Sequence, residues 1–307
     1  MALTYEGQQL TNQQRRAQVA IARELVADLR ATWPLLDPLR LDATAPGWMQ
    51  VVLSILTQKH GLSVQAASAY LTQFRIAEIG RSSKAVQGIN PPLSAAAPTS
   101  VLVTGPVKVK QGMTAGLTVN QASTAAFQSL ASTAILYVLD GGRDTIVTAG
   151  RRDRMALGWQ RVTDGSPCYF CAMLASRGAV YGKRSFTKEV HGKCGCTLEP
   201  VYGRDTNWAG EAGRYSDLWY ESTKGLSGQE AVKAFRRAYN GTEGGTATVT
   251  TLRTPIPVDT TLIDRAKELN RQAQAAFRAG DDAERVRLQA EASALFREAY
   301  SQTSEAA

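Results

Sequence analysis

Four cysteines and one histidine carry the most specific chemical signal in the chain. Cys168 and Cys171 form a Cys-x-x-Cys pair behind Gly165-Ser166-Pro167, and His191-Gly-Lys-Cys194-Gly-Cys196 follows, with 22 residues between Cys171 and Cys194. A Cys-x-x-Cys turn brings two thiolates to one ion, and a second pair at this separation completes a split zinc site. Gly192 and Gly195 let the backbone bend closely around a metal. Five donors compete for four places. The preferred set is Cys168, Cys171, Cys194 and Cys196, with His191 as an outer hydrogen-bond donor or an alternative fourth ligand. Four protein ligands close the shell and leave no position for substrate, so the expected Zn2+ is structural. The competing readings are free thiols or disulfides. Pairs spaced i,i+2 and i,i+3 rarely meet disulfide geometry within the pair. A redox role is weaker, because no βαβ pattern surrounds the Cys-x-x-Cys motif.

Other catalytic arrangements are sparse. The only other histidine is His60, beside Gly61, and it reads as a turn or surface residue. No Gly-x-Ser-x-Gly elbow is present. Gly178 to Lys183 is one residue short of a phosphate loop and is followed by Arg184 rather than Ser or Thr. Trp159, Tyr169, Phe170 and Tyr181 are candidates to stack on bases, but such residues more often supply the core of a small metal lobe.

Helices must position the cysteine region. Thr11 and Gln14 resemble a capping box, and Val19, Ala22, Leu25, Val26 and Leu29 recur at helical spacing until Pro34. Trp48 to Leu56 and Ser63 to Phe74 predict two further helical segments on either side of His60-Gly61. Asn90-Pro91-Pro92 marks a linker. Val101-Leu-Val103, Gly105-Pro106 and the lysines alternating with valines at 107–110 predict a short β-hairpin with a lysine-guarded edge. A helix from about Val119 to Leu139 is expected to break at Gly141-Gly142. Helix is then expected again over 143–158. Trp208, Tyr215, Trp219 and Tyr220 read as turns and aromatics, and Gln229 to Tyr239 as a short amphipathic helix. Leu262, Ala266, Leu269, Ala273 and Phe277, then Ala283 to Tyr300 after Ala279-Gly280-Asp281, predict a helical hairpin.

The fold expected is mainly α with a small β component. It comprises N-terminal helical hairpins over 1–80, a linker and β-hairpin over 81–118, and a central helix with a zinc-knuckle core over 119–205. An aromatic-rich extension and linker follow over 206–258, then a C-terminal helical hairpin over 259–307. Net charge is +8, divided as +4 over 1–150, +6 over 151–240 and −2 thereafter. The excess peaks at Arg151, Arg152 and Arg154, candidates to contact nucleic acid, or a solvated basic face. The clustered thiols point to a reducing compartment. The apolar run Leu130 to Leu139 is about half of the ~20 residues a membrane span needs, so it reads as buried helix. The N-terminus lacks a basic start followed by an apolar stretch, and no targeting segment is expected.

The stretch from Ala149 to Tyr202 resembles the phage Mu protein F-like (MuF-like) minor head proteins of tailed bacteriophages, in the form common in phages of actinobacteria. The resemblance rests on Ala-Gly-Arg-Arg-Asp-Arg154, Gly158-Trp-Gln-Arg-Val162, Asp164-Gly-Ser-Pro-Cys168-Tyr-Phe-Cys171, Arg177-Gly-Ala-Val-Tyr181, and His191 through Cys196 to Pro200-Val201-Tyr202. It implies a non-enzymatic minor capsid protein needed for head morphogenesis, present in few copies. Such a protein sits at the portal vertex or inner capsid wall after assembly in the host cytoplasm. Its partners would be portal and major capsid or scaffold proteins, with packaged DNA nearby and no membrane. The alternatives are a capsid maturation protease and a zinc-dependent nucleic-acid-binding protein.

Overall fold

The computed structural model describes residues 4–82, 84–164, 167–182, 194–203, 211–241, 260–279 and 281–301. Three long helices build the main core. Helix α1 (Tyr5–Thr32) starts at Thr4, whose Oγ accepts from Gly7 N–H at 2.9 Å. It ends at a single 3-10 turn, Trp33–Leu35, carrying Pro34. Helix α2 (Leu41–Ile79) stops at Gly80, whose φ of 69° suits glycine. Helix α5 (Val119–Arg152) begins with a capping box between Thr118 and Gln121. Leu25 and Leu29 of α1, Trp48, Val52 and Leu56 of α2, and Ala126, Leu130, Ala134 and Val138 of α5 recur every three or four residues and interlock.

Several expectations are corrected here. The helix-start signal at Thr11 and Gln14 lies inside α1. Both residues are buried, and Thr11 hydrogen-bonds Tyr70 at 3.1 Å and Glu199. The two segments around His60-Gly61 are one helix, because an isolated glycine lowers helix propensity without breaking a well-packed helix. The β-hairpin over 101–110 is helical instead: α3 (Ala97–Leu102), a π-helical turn (Val103–Val107) and α4 (Lys108–Thr114). The alternation of valine and lysine mimicked a strand, but Val101, Gly105 and Val109 share one helical face that is buried on the bundle. A Cβ at Gly105 would lie 2.7 Å from the Trp48 indole.

Gly141-Gly142 does not break α5 either. A Cβ there would lie 2.9 Å from the His60 ring or 2.8 Å from Ser63 Oγ. The glycines are contact points where α5 crosses α2, not punctuation. Gly150, two turns on, meets Trp159 in the same way, with its absent Cβ 2.1 Å from the indole.

Beyond α5 the chain forms a three-stranded antiparallel sheet in the order β2-β1-β3. Strand β1 (Gly158–Val162) pairs with β3 (Thr197–Val201) from Gly158↔Val201 to Val162↔Thr197, and with β2 (Tyr181–Gly182) at its start. Trp159 and Leu198 seat the sheet on Phe74, Leu71, Ile146 and Val147 of α2 and α5. Helix α6 (Tyr169–Ala175) packs with α7 (Glu211–Ser222) and α8 (Gly228–Asn240) around Phe235, Tyr239, Tyr215 and Met173. Tyr215, Trp219 and Tyr220 thus belong to a helix rather than to turns, while Trp208 lies outside the described residues. So does the linker expected over 240–258, except for Asn240 and Gly241, which end α8. Helices α9 (Thr260–Arg278) and α10 (Asp282–Ser301) form the C-terminal hairpin and touch α1. The architecture is mainly α with a small β component. Helix α5 is long and apolar enough to cross a membrane by length and composition, but it is the packed core helix of the bundle.

Candidate metal centre

The cysteines arrive from two elements. Cys168 is the N-cap of α6, and its Sγ accepts from Cys171 N–H at 3.4 Å. Cys171 therefore sits in the first turn, facing inward and fully buried. Cys194 and Cys196 stand immediately before β3, whose pairing with β1 fixes their register. The Sγ atoms of Cys171, Cys194 and Cys196 lie within 4.8 Å of one another, with Cys171 and Cys194 at 3.4 Å. Cys168 packs against the three from the half-buried rim, and all four are free thiols.

This donor set fits a thiophilic ion. Bonds of ~2.3 Å to a tetrahedral zinc put the sulfurs about 3.8 Å apart, close to the spacing seen here. The electrostatics agree. Contact with Cys168, then with Cys194 and Cys196, together with burial, pushes the Cys171 thiol far above its ordinary range. Contact with Cys171, then Cys196, pulls Cys194 down against its burial, with help from the Arg143 guanidinium. Of the three buried thiols, Cys194 is thus the one favoured as a thiolate, while Cys171 and Cys196 are pushed up. A cation among the sulfurs would favour the charged form of each.

The Cys194-Gly195-Cys196 knuckle is held from behind. Arg143 of α5, 2% exposed, donates from Nε to the Cys196 carbonyl at 3.1 Å and from Nη2 to the Cys194 carbonyl. Asp164 Oδ2 accepts from Gly195 N–H at 2.9 Å. A Cβ at Gly195 would lie 2.8 Å from that oxygen, so a side chain there would displace the Asp164 carboxylate. The sequence reading missed Arg143. Its signal was a lone charge on the apolar stripe Leu139, Ile146 and Gly150.

The other candidates are placed as follows. His191 lies outside the described residues. Arg151 and Arg152 are exposed on the last turn of α5 and Arg154 is exposed just after it, apart from the cysteine cluster. Trp159 is fully buried core. Tyr181 is half-buried, and its hydroxyl donates to the Leu174 carbonyl at 2.9 Å. Phe170 is 37% exposed, and Tyr169 lies under the Arg236 guanidinium at 4.9 Å. His60, expected at a turn or surface, is 6% exposed at the α2–α5 crossing, and burial lowers its pKa.

No curated protein matches this chain, and no solved structure does. A family model described as VG15 protein matches residues 7–224, from the first turn of α1 to just past α7 with all four cysteines inside it, and the chain therefore belongs to this family of viral (phage) proteins.

Proposed function

We propose that this chain is a structural minor capsid protein of a tailed bacteriophage, of the MuF-like kind, acting in head morphogenesis with a structural zinc ion. The carrying observation is the convergence of four thiols from α6 and the β3 knuckle inside the phage-family span. Cys168, Cys171, Cys194 and Cys196 would hold the ion, with His191 the alternative fourth ligand. Bound zinc would cross-link α6 to the sheet and so stabilise a lobe too small to rest on its own core. Three of the four sulfurs, those of Cys171, Cys194 and Cys196, are buried among the described residues, which supports structure over turnover. His60 is equally enclosed. That weakens the maturation-protease alternative, which needs an accessible general base. The partners this reading implies are portal and major capsid or scaffold proteins at the capsid interior.

The test has two arms. Protein purified without added metal is expected to carry about one zinc per chain, and Cys168→Ser/Cys194→Ser to lose both the zinc and cooperative unfolding. Mass spectrometry of purified particles and procapsids is expected to find the chain in few copies. Its absence from both kinds of particle rejects the capsid reading. A metal-free wild type with unchanged stability rejects the zinc site.

A further inference from the structure

The Cys194-Gly195-Cys196 knuckle is tied to the rest of the molecule by its backbone. Two of its carbonyls accept from one guanidinium, and its central N–H donates to one carboxylate. The two side chains come from opposite directions, Arg143 from the core helix α5 and Asp164 from the segment that follows β1. Arg143 reaches its place because α5 runs tight against α2 at Gly141-Gly142, immediately before it. Its third bond, from Nη1, goes to Asp140 Oδ1 at 2.9 Å, and Asp140 is itself partly exposed. This nearly fully buried guanidinium pairs with one partly exposed carboxylate and gives its other two bonds to neutral carbonyls, which places its positive charge beside whatever lies beyond them. Here that is a cluster of sulfurs, which become anionic on binding a metal.

We infer that Arg143 and Asp164 are positioning residues of the metal centre, holding the knuckle backbone so that both its sulfurs face the ion, with Arg143 also offsetting the charge of the thiolate shell. This rests on the zinc reading above and deepens it. The planar fork explains why arginine stands here: it meets two carbonyls at once, where a lysine ammonium offers a single point. Asp164 complements it by fixing the one N–H between the two ligands, at a glycine where a Cβ would push the carboxylate away.

The experiment uses the full chain as wild type, Arg143→Lys, Asp164→Ala and, as a control, Arg75→Lys. Arg75 is another buried arginine, but its bonds go to Asp153 and to the carbonyls of Arg81 and Ser82. Zinc affinity is read by chelator competition. Cobalt substitution reports shell geometry through its sulfur-to-metal and visible bands. Arg143→Lys and Asp164→Ala are each expected to weaken zinc binding roughly 10–100-fold and to shift the cobalt bands. Arg75→Lys is expected to leave both unchanged even if it melts earlier. If Arg143→Lys does not fold, Asp164→Ala decides. Affinities within about twofold of wild type with an unaltered cobalt spectrum overturn the inference, as does an equal loss in Arg75→Lys. A wild type that takes up neither metal overturns the zinc reading itself and the inference with it, and the wild-type arm alone reveals that case.

Discussion

At the scale of single residues, glycines and buried polar groups decide more than the apolar stripes do. His60 is the clearest case, because its ring lies against Gly141 in the crossing of α2 and α5. Burial lowers its pKa, and Asp144 and Asp140 only partly oppose that. A histidine whose folded pKa is depressed stabilises the fold fully above its unfolded value near 6.5. That stability is lost as pH falls through the folded pKa. Thermal stability is therefore expected to fall as the pH drops below about 6.5, and His60→Gln to flatten that slope. Each kcal/mol lost shows as roughly 2–4 °C for a core of this size. His191 is present in both proteins, so the difference isolates His60. Parallel slopes for the two proteins would show that His60 keeps its proton equilibrium on folding.

At the scale of elements, α8 and the C-terminal hairpin separate cleanly. The family match ends at residue 224, before α8. Yet Phe235 of α8 is fully buried against α6 and α7, and Tyr239 donates to the Pro167 carbonyl at 2.6 Å, next to Cys168. Truncating a buried phenylalanine alone costs about 3–5 kcal/mol. A chain ending at Gly241 is expected to unfold within a few degrees of the full chain, whereas one ending at Lys224 should melt roughly 6 °C or more below it or precipitate. Equal melting of the two truncations would mean that α8 contributes nothing to the lobe. The element errors made from sequence share one cause. Gly105, Gly141 and Gly61 punctuate a pattern read locally, but all three stand inside helices, and at Gly105 and Gly141 a side chain of α2 fills the space. Tertiary contact overrides local propensity there.

At the scale of the whole molecule, charge is the property that reaches furthest. The net +8 is concentrated around the cysteine lobe, and Arg151, Arg152 and Arg154 are exposed at the C-terminal end of α5, where the helix dipole favours cations. A protein housed beside packaged genome would bind duplex DNA in a salt-dependent way. Replacing the three arginines by alanine is expected to weaken binding across all sequences and to reduce the log–log salt slope by up to about 3. Binding indifferent to ionic strength would assign these arginines to solvent. The sequence alone brought out the cysteine cluster, the three helical stripes of the bundle, the mainly α class and the C-terminal hairpin. Each of these is written in spacing between residues near one another in the chain, and spacing sets which face or turn they share. Only the tertiary structure decided that α5 continues through Gly141-Gly142, that residues 97–114 are helical, and that Arg143 and Asp164 grip the knuckle. Those outcomes depend on which distant backbone comes close enough to exclude a Cβ or accept a hydrogen bond, and no local pattern encodes that distance.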